Sequence, residues 1–175
     1  MRLLLCLLAG PLLALTACTT SEDPPVPAAA TVDDAALAEG LAAVYAGDNP
    51  DAEDEREGEC FASALLDSTT PQELRAGGLL DASYAVVDSI PPLEEELAGP
   101  VADAQLACTD FVADATAAQV SISKGKLDAR AYEACLNREL DDAAIRAGVV
   151  ASLQGEWEDA ALLRLSEGQA SCAEQ

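Results

Sequence analysis

Pro100-Val101-Ala102-Asp103-Ala104-Gln105-Leu106-Ala107-Cys108, continued by Thr109-Asp110-Phe111-Val112-Ala113-Asp114-Ala115, decides the fold class. Val101, Ala104, Cys108, Phe111 and Ala115 fall at spacings of three, four, three and four. That is the period of an amphipathic helix with one apolar face. Pro100 suits the first helical position, where a missing backbone N–H leaves no bond unmade. The pattern buries Cys108 on the apolar face, where a disulfide partner would meet it.

The flanking segments carry the same period. Leu37, Leu41 and Val44 recur at i, i+4 and i+7, between a start at Thr31-Val32-Asp33-Asp34 and a stop at Gly47. Asp48 to Glu59 reads as a loop leading into a helix on which Cys60, Phe61, Ala64 and Leu65 share one face. At Thr70-Pro71-Gln72-Glu73, Thr70 can cap, Pro71 suits the first helical position and Glu73 can reach back to the cap amide. Gly77-Gly78 ends that helix or allows close packing. Leu79 to Ile90 is ambiguous: Tyr84-Ala85-Val86-Val87 tolerates a strand, yet no partner strand is evident, and Pro91-Pro92 breaks whatever precedes it.

Further on, Asp128 caps a helix whose Tyr132 can staple against Leu127, with Cys135, Leu136 and Leu140 on its inner face. Asp142 starts a helix through Ile145, Val149 and Leu153, and a last one runs over about 158–172 with Ala161, Leu162 and Leu165 inward. Trp157, the only tryptophan, is expected to pack at the junction of these two. Helices with short loops and no strand set predict an all-α fold, a small helical bundle over 33–175.

The N-terminus gives an address. Met1 and Arg2 precede an apolar run, Leu3 to Leu15, interrupted by Gly10 and Pro11. This order reads as a secretory signal, and the run is shorter than the roughly 20 residues a membrane span requires. Leu15-Thr16-Ala17-Cys18 resembles the lipobox of bacterial lipoproteins. The resemblance covers residues 1–18, and from residue 19 onward the chain resembles no characterised family. It implies a signal peptide over 1–17, cleavage before Cys18, and diacylglyceryl transfer to the Cys18 thiol, usually with acylation of the new amino group. Residues 18–32 would then be the lipidated cysteine and a flexible tether rich in Thr, Ser, Ala, Pro and acidic side chains. The resemblance places the domain on the extracytoplasmic face of a bacterial cell membrane, held by its lipid.

Composition narrows the partners. The formal charge of −23 becomes −24 once Arg2 leaves with the signal. Nucleic acid is disfavoured, because polyanion binding needs Lys and Arg to displace counterions. Anionic headgroups would repel the domain, so attachment must come through the lipid on Cys18. Half the residues are apolar, but Ala dominates and only 3% are aromatic. Such a core is thin, and covalent staples would help it.

Of six cysteines, Cys6 leaves with the signal and Cys18 takes the lipid. Cys60, Cys108, Cys135 and Cys172 remain, which in an exported protein suggests two disulfides. No CxxC spacing and no histidine accompany them, so a zinc site is a poor fit. An internal repeat selects one of the three possible pairings. Glu59-Cys60-Phe61-Ala62-Ser63-Ala64-Leu65 parallels Ala134-Cys135-Leu136-Asn137-Arg138-Glu139-Leu140. Leu74-Arg75-Ala76-Gly77 parallels Ile145-Arg146-Ala147-Gly148, and Ala104-Gln105-Leu106-Ala107-Cys108 parallels Gly168-Gln169-Ala170-Ser171-Cys172. Two units, about 50–112 and 126–175, would each hold one cysteine on their first helix and one on their last. The expected pairs are Cys60–Cys108 and Cys135–Cys172.

No catalytic motif and no cofactor motif stands up. Glu53, Asp54, Glu55, Glu57 and Glu59 form the densest charge cluster, but a calcium loop counted from Glu53 would put Ala64 where a bidentate Glu is needed. Acidic residues in a first helical turn, complementing the helix dipole, are the better reading. Ser121-Ile122-Ser123-Lys124 matches S-x-x-K, without the companion elements that serine enzymes of that type require. The lack of histidine removes the side chain best suited to proton transfer near neutral pH. The sequence therefore predicts a non-catalytic binding or interaction module. Its alternatives are a cell-envelope hydrolase using paired carboxylates and an acidic cation-binding surface domain.

Overall fold

The structure, a computed structural model, describes residues 32–174. The signal segment, Cys6, Cys18 and all of the tether but Val32 lie outside the described residues. Eight helices form an all-α fold: α1 (Asp34–Ala46), α2 (Ala52–Ser68), α3 (Pro71–Ala76), α4 (Glu95–Cys108), α5 (Phe111–Ile122), α6 (Ala129–Glu139), α7 (Asp142–Leu153) and α8 (Ala160–Ala173). There is no strand among the described residues; the ambiguous 79–92 segment is a loop with one isolated bridge, Leu80 to Val86.

Side-chain caps set most of the boundaries. Asp33 accepts from the Ala35 and Ala36 amides to open α1. Thr70 and Glu73 form a reciprocal capping box at α3. That helix ends on Gly78, whose φ of 85° is open to glycine but strained for other residues; the Leu79 amide then reaches back to the Leu74 carbonyl. Asp128, Asp141 and Asp159 open α6, α7 and α8.

Three expectations are corrected. Residues 53–59 are helix rather than loop, because Asp51 and Asp54 form a capping box that starts α2 at Ala52. The acidic run thus fills the first turns of a helix and cannot wrap a cation as a loop would. The stretch from Pro100 to Ala115 is two helices. Asp110 caps the Val112 and Ala113 amides and restarts the chain as α5, while α4 begins at Glu95 and takes Pro100 into its interior. Pro100 has no N–H for the Glu96 carbonyl, a local defect the helix tolerates. Cys108, at the very end of α4, is consequently half-buried rather than buried. Trp157 does not pack at the α7–α8 junction: it sits on the turn between them, 69% exposed.

The helices pack in the order α1, α2, α4, α7, α8, α6, α5, each against the next, with α4 against α7 in the middle. One core gathers Leu37, Leu41, Phe61, Leu65, Leu74, Leu79 and Leu97; the other gathers Tyr132, Leu136, Leu140, Ile145, Val149 and Leu165. Helix α4 serves both, giving Val101 to the first and Ala102 to the second. Two further ties cross between the halves: Arg146 grips Asp103 with two hydrogen bonds of 2.6 and 2.8 Å, and the Leu93 amide donates to the Leu153 carbonyl.

Cys60 pairs with Cys108 across α2 and α4, and Cys135 with Cys172 across α6 and α8, with Cα–Cα distances of 5.7 and 5.6 Å. These are the pairs drawn from the repeat. The matched residues also take matching places. Phe61 and Leu136, Leu65 and Leu140, and Leu74 and Ile145 are all buried. Gly77 abuts Leu97 and Gly148 abuts Leu165, each a leucine on the last helix of its own half.

Candidate functional site

The residue three before each cysteine lies one helical turn away on nearly the same face. Those residues are Glu57, Gln105, Tyr132 and Gln169. All four line one groove of about 430 Å³. Each disulfide draws two helices together, so their neighbouring turns face a shared space. The groove is completed by Tyr45 from the end of α1, Thr109 from the α4–α5 turn, and Phe111, Asp114, Gln119 and Ile122 from α5. Its volume falls within the usual range for small-molecule sites.

Tyr45 is fixed by stacking on Phe61, with ring centroids 4.3 Å apart. Burial pushes its hydroxyl up to about 12, helped by the nearby charges of Glu57 and Asp114 and offset by the Thr109 hydroxyl. It therefore remains a neutral phenol. Glu57 is raised above the ordinary carboxylate range, first by lost hydration and then by the charge of Asp114. Asp114 is raised for the same first reason, and then by Asp110 and Glu53. Neither Glu57 nor Asp114 has an ion-pair or hydrogen-bond partner among the described residues. The charge of Arg56 partly offsets the rise in Glu57, but Arg56 itself is exposed and paired with Glu53 at 3.5 Å.

Tyr132 is the deepest residue of the groove, 2% exposed, and burial raises its hydroxyl too. That hydroxyl has no hydrogen-bond partner among the described residues, and solvent reaches it. At the rim, Ile122 is 74% exposed. The groove thus combines two carboxylates, three amide side chains, two phenols, a threonine hydroxyl and a phenyl ring with aliphatic surface from Leu106, Ala115, Ala118 and Ile122. It contains no histidine, lysine or free thiol. Such a surface is equipped to recognise a ligand by charge and hydrogen bonding.

The sequence candidates fall elsewhere, with one exception. Glu57 belongs to the acidic cluster and enters the groove, while Glu53 stands close enough to act on Asp114. Ser121 and Lys124 are exposed around the end of α5, where Lys124 has a φ of 55°, and they form no constellation with the groove. Among the described residues no group of three or more Cys, Asp or Glu is placed to hold a metal ion. A second cavity of about 390 Å³, between α3 and the ends of α2 and α4, is mostly apolar. Several of its polar groups are already engaged, the Thr69 hydroxyl donating to the Leu65 carbonyl and Glu73 held by Thr70, while Glu94 and Glu96 stand at its edge. It offers less to a polar ligand than the groove does.

Asp114, Tyr132 and the three glutamines are what sequence reasoning missed. The available signal was the position of Gln105 and Gln169, each three before a cysteine in matching repeat segments. No known protein family, no curated protein and no solved structure matches this chain.

Proposed function

We propose that this chain is a lipid-anchored extracytoplasmic lipoprotein whose helical domain is a non-catalytic binding module, with the disulfide-framed groove as its binding site. The observation that carries the binding reading is the meeting of all four residues one turn before a cysteine, Glu57 among them, beside a second carboxylate, Asp114, that like Glu57 has no ion-pair or hydrogen-bond partner among the described residues. The lipobox-like Leu15-Thr16-Ala17-Cys18 supports the anchor. Two or three acyl chains on one residue make attachment durable, at about 0.8 kcal/mol per buried methylene. No described helix is long and apolar enough to cross a membrane. In this proposal the two halves descend from one duplicated two-cysteine unit.

The raised carboxyls of Glu57 and Asp114 favour one second reading, a hydrolase that uses them as acid and base. Asp114 is exposed and Glu57 half-buried, so neither is shielded as a dedicated acid would be, and binding is preferred.

The test of the anchor is Cys18→Ser in the full chain, expressed in a bacterial host. The wild type is expected in the membrane fraction, with a mass increased by acyl chains and an N-terminus at Cys18. The variant is expected uncut or released. Retention and processing unchanged by the substitution would refute the lipoprotein assignment.

A further inference from the structure

We infer that the groove takes a small hydroxylated primary amine, with its ammonium between Glu57 and Asp114 and its hydroxyl groups against Tyr132, Gln105 and Gln169. The inference rests on the binding-module reading and names the chemical class of the ligand.

Two independent features point to it. The first is negative charge along the groove: Glu57, half-buried, and Asp114, exposed, repel one another and have no ion-pair partner among the described residues, Arg56 only partly offsetting the rise in Glu57. An ammonium ion offers three donors and one positive charge, which satisfies both carboxylates at once. A guanidinium would fit one carboxylate as a flat fork, whereas two carboxylates from different helices suit a compact point charge better. The second feature is the Tyr132 hydroxyl. Tyr132 is 2% exposed, so few of its atoms meet solvent. Its hydroxyl has no hydrogen-bond partner among the described residues and is one of the atoms that solvent reaches. A ligand oxygen that reaches it takes the place of that water.

Gln105 and Gln169 add donors and acceptors on either side, the pattern that holds a hydroxylated ligand. Phe111 gives the apolar C–H face of such a ligand a surface to lie on. A bare divalent cation is a weaker fit, because it needs six or more oxygens in close array and the described residues place no such group.

The experiment measures thermal stabilisation and calorimetric binding with the full chain in detergent at constant ionic strength. The amine probes are D-glucosamine and ethanolamine; the neutral counterparts are N-acetylglucosamine and ethylene glycol; calcium chloride is a separate arm. The expected result is saturable binding of at least one amine and no comparable binding of its neutral counterpart. Glu57→Gln and Asp114→Asn should each weaken amine binding at least about tenfold, the worth of a charge-assisted hydrogen bond. Tyr132→Phe, which keeps the packing, should weaken it about threefold to tenfold while leaving the charge dependence intact. If N-acetylglucosamine binds as well as glucosamine and needs Tyr132, the groove stands and the amine assignment falls. Calcium binding that needs both carboxylates, with no amine binding, also overturns the assignment. Failure of every probe, neutral ones included, removes the groove as a binding site along with it.

Discussion

The two disulfides differ in burial, and that difference predicts which one the fold depends on more. Cys135 and Cys172 are 1% and 2% exposed inside the second core, whereas Cys60 is exposed and Cys108 half-buried. Sequence separations of 48 and 37 residues give nearly equal chain-entropy contributions, about 4 kcal/mol each. Serine replacement separates them. Cys60→Ser with Cys108→Ser leaves hydroxyls that water can reach, so the loss should stay near 4 kcal/mol. Cys135→Ser with Cys172→Ser leaves two hydroxyls in an apolar core, which adds about 1–3 kcal/mol for each one left unpaired. Against a typical total of about 5–15 kcal/mol, the second double variant approaches unfolding at room temperature and the first does not. Urea unfolding followed by far-UV circular dichroism measures both. Mild reduction of the native protein, trapped by alkylation and read by peptide mass, should open Cys60–Cys108 first. Equal losses in the two double variants, or earlier opening of Cys135–Cys172, would refute the burial argument.

Two further outcomes are expected. Gly58→Ala should destabilise by about 1–3 kcal/mol in urea: a Cβ there would sit 2.6 Å from the Ala42 carbonyl oxygen, so α1 and α2 must move apart, and an unchanged midpoint would mean that the crossing is looser than described. Stability should pass through a maximum on the acid side of neutral. Glu57 and Asp114 are raised in the fold, so their contribution is full below the unfolded carboxyl value of about 4 and is lost as pH rises through their higher folded values. Asp51, Glu73, Asp81 and Asp103 are lowered by hydrogen bonds, Asp103 chiefly by Arg146, and their contribution disappears as pH falls through their folded values. A melting temperature that rises as pH is lowered from neutral toward the unfolded carboxyl value of about 4, and falls at lower pH, checks both signs; Glu57→Gln with Asp114→Asn should flatten the rise.

Local signals made much of this fold legible. Asp33, Thr70 and Asp128 each stand before an apolar period, and each one caps. The same logic failed where two signals overlapped. Asp51 and Asp54 form a capping box inside a run of acidic residues, and the run reads as loop because charge hides the cap. At Thr109-Asp110 the apolar period continues across a helix break, so spacing alone joins α4 to α5. Pro100 suggests a helix start, yet tertiary burial of Leu97, Ala98 and Val101 extends α4 upstream of it. Trp157 is large and apolar, which predicts burial; the turn between α7 and α8 instead carries it among Glu156, Glu158 and Asp159, away from either core.

The groove has a different logic, because it was encoded by offsets from the cysteines rather than by any motif. Once a disulfide fixes two helices at 5.6–5.7 Å between Cα atoms, the turn before each cysteine is held in place covalently. Residues on that turn need not contribute to packing to keep the helices together. In an alanine-rich protein this releases three positions for polar chemistry, Glu57, Gln105 and Gln169, while the fourth, Tyr132, packs in the second core and lines the groove as well. Without the staples, a glutamate and two glutamines at a helix–helix seam would cost hydration and weaken the seam. With them, the same residues can stay underpaired and available to a ligand. The thin core and the polar groove are thus two consequences of one device: covalent links supply the stability that apolar lining would otherwise have provided, and the lining is left free to recognise something.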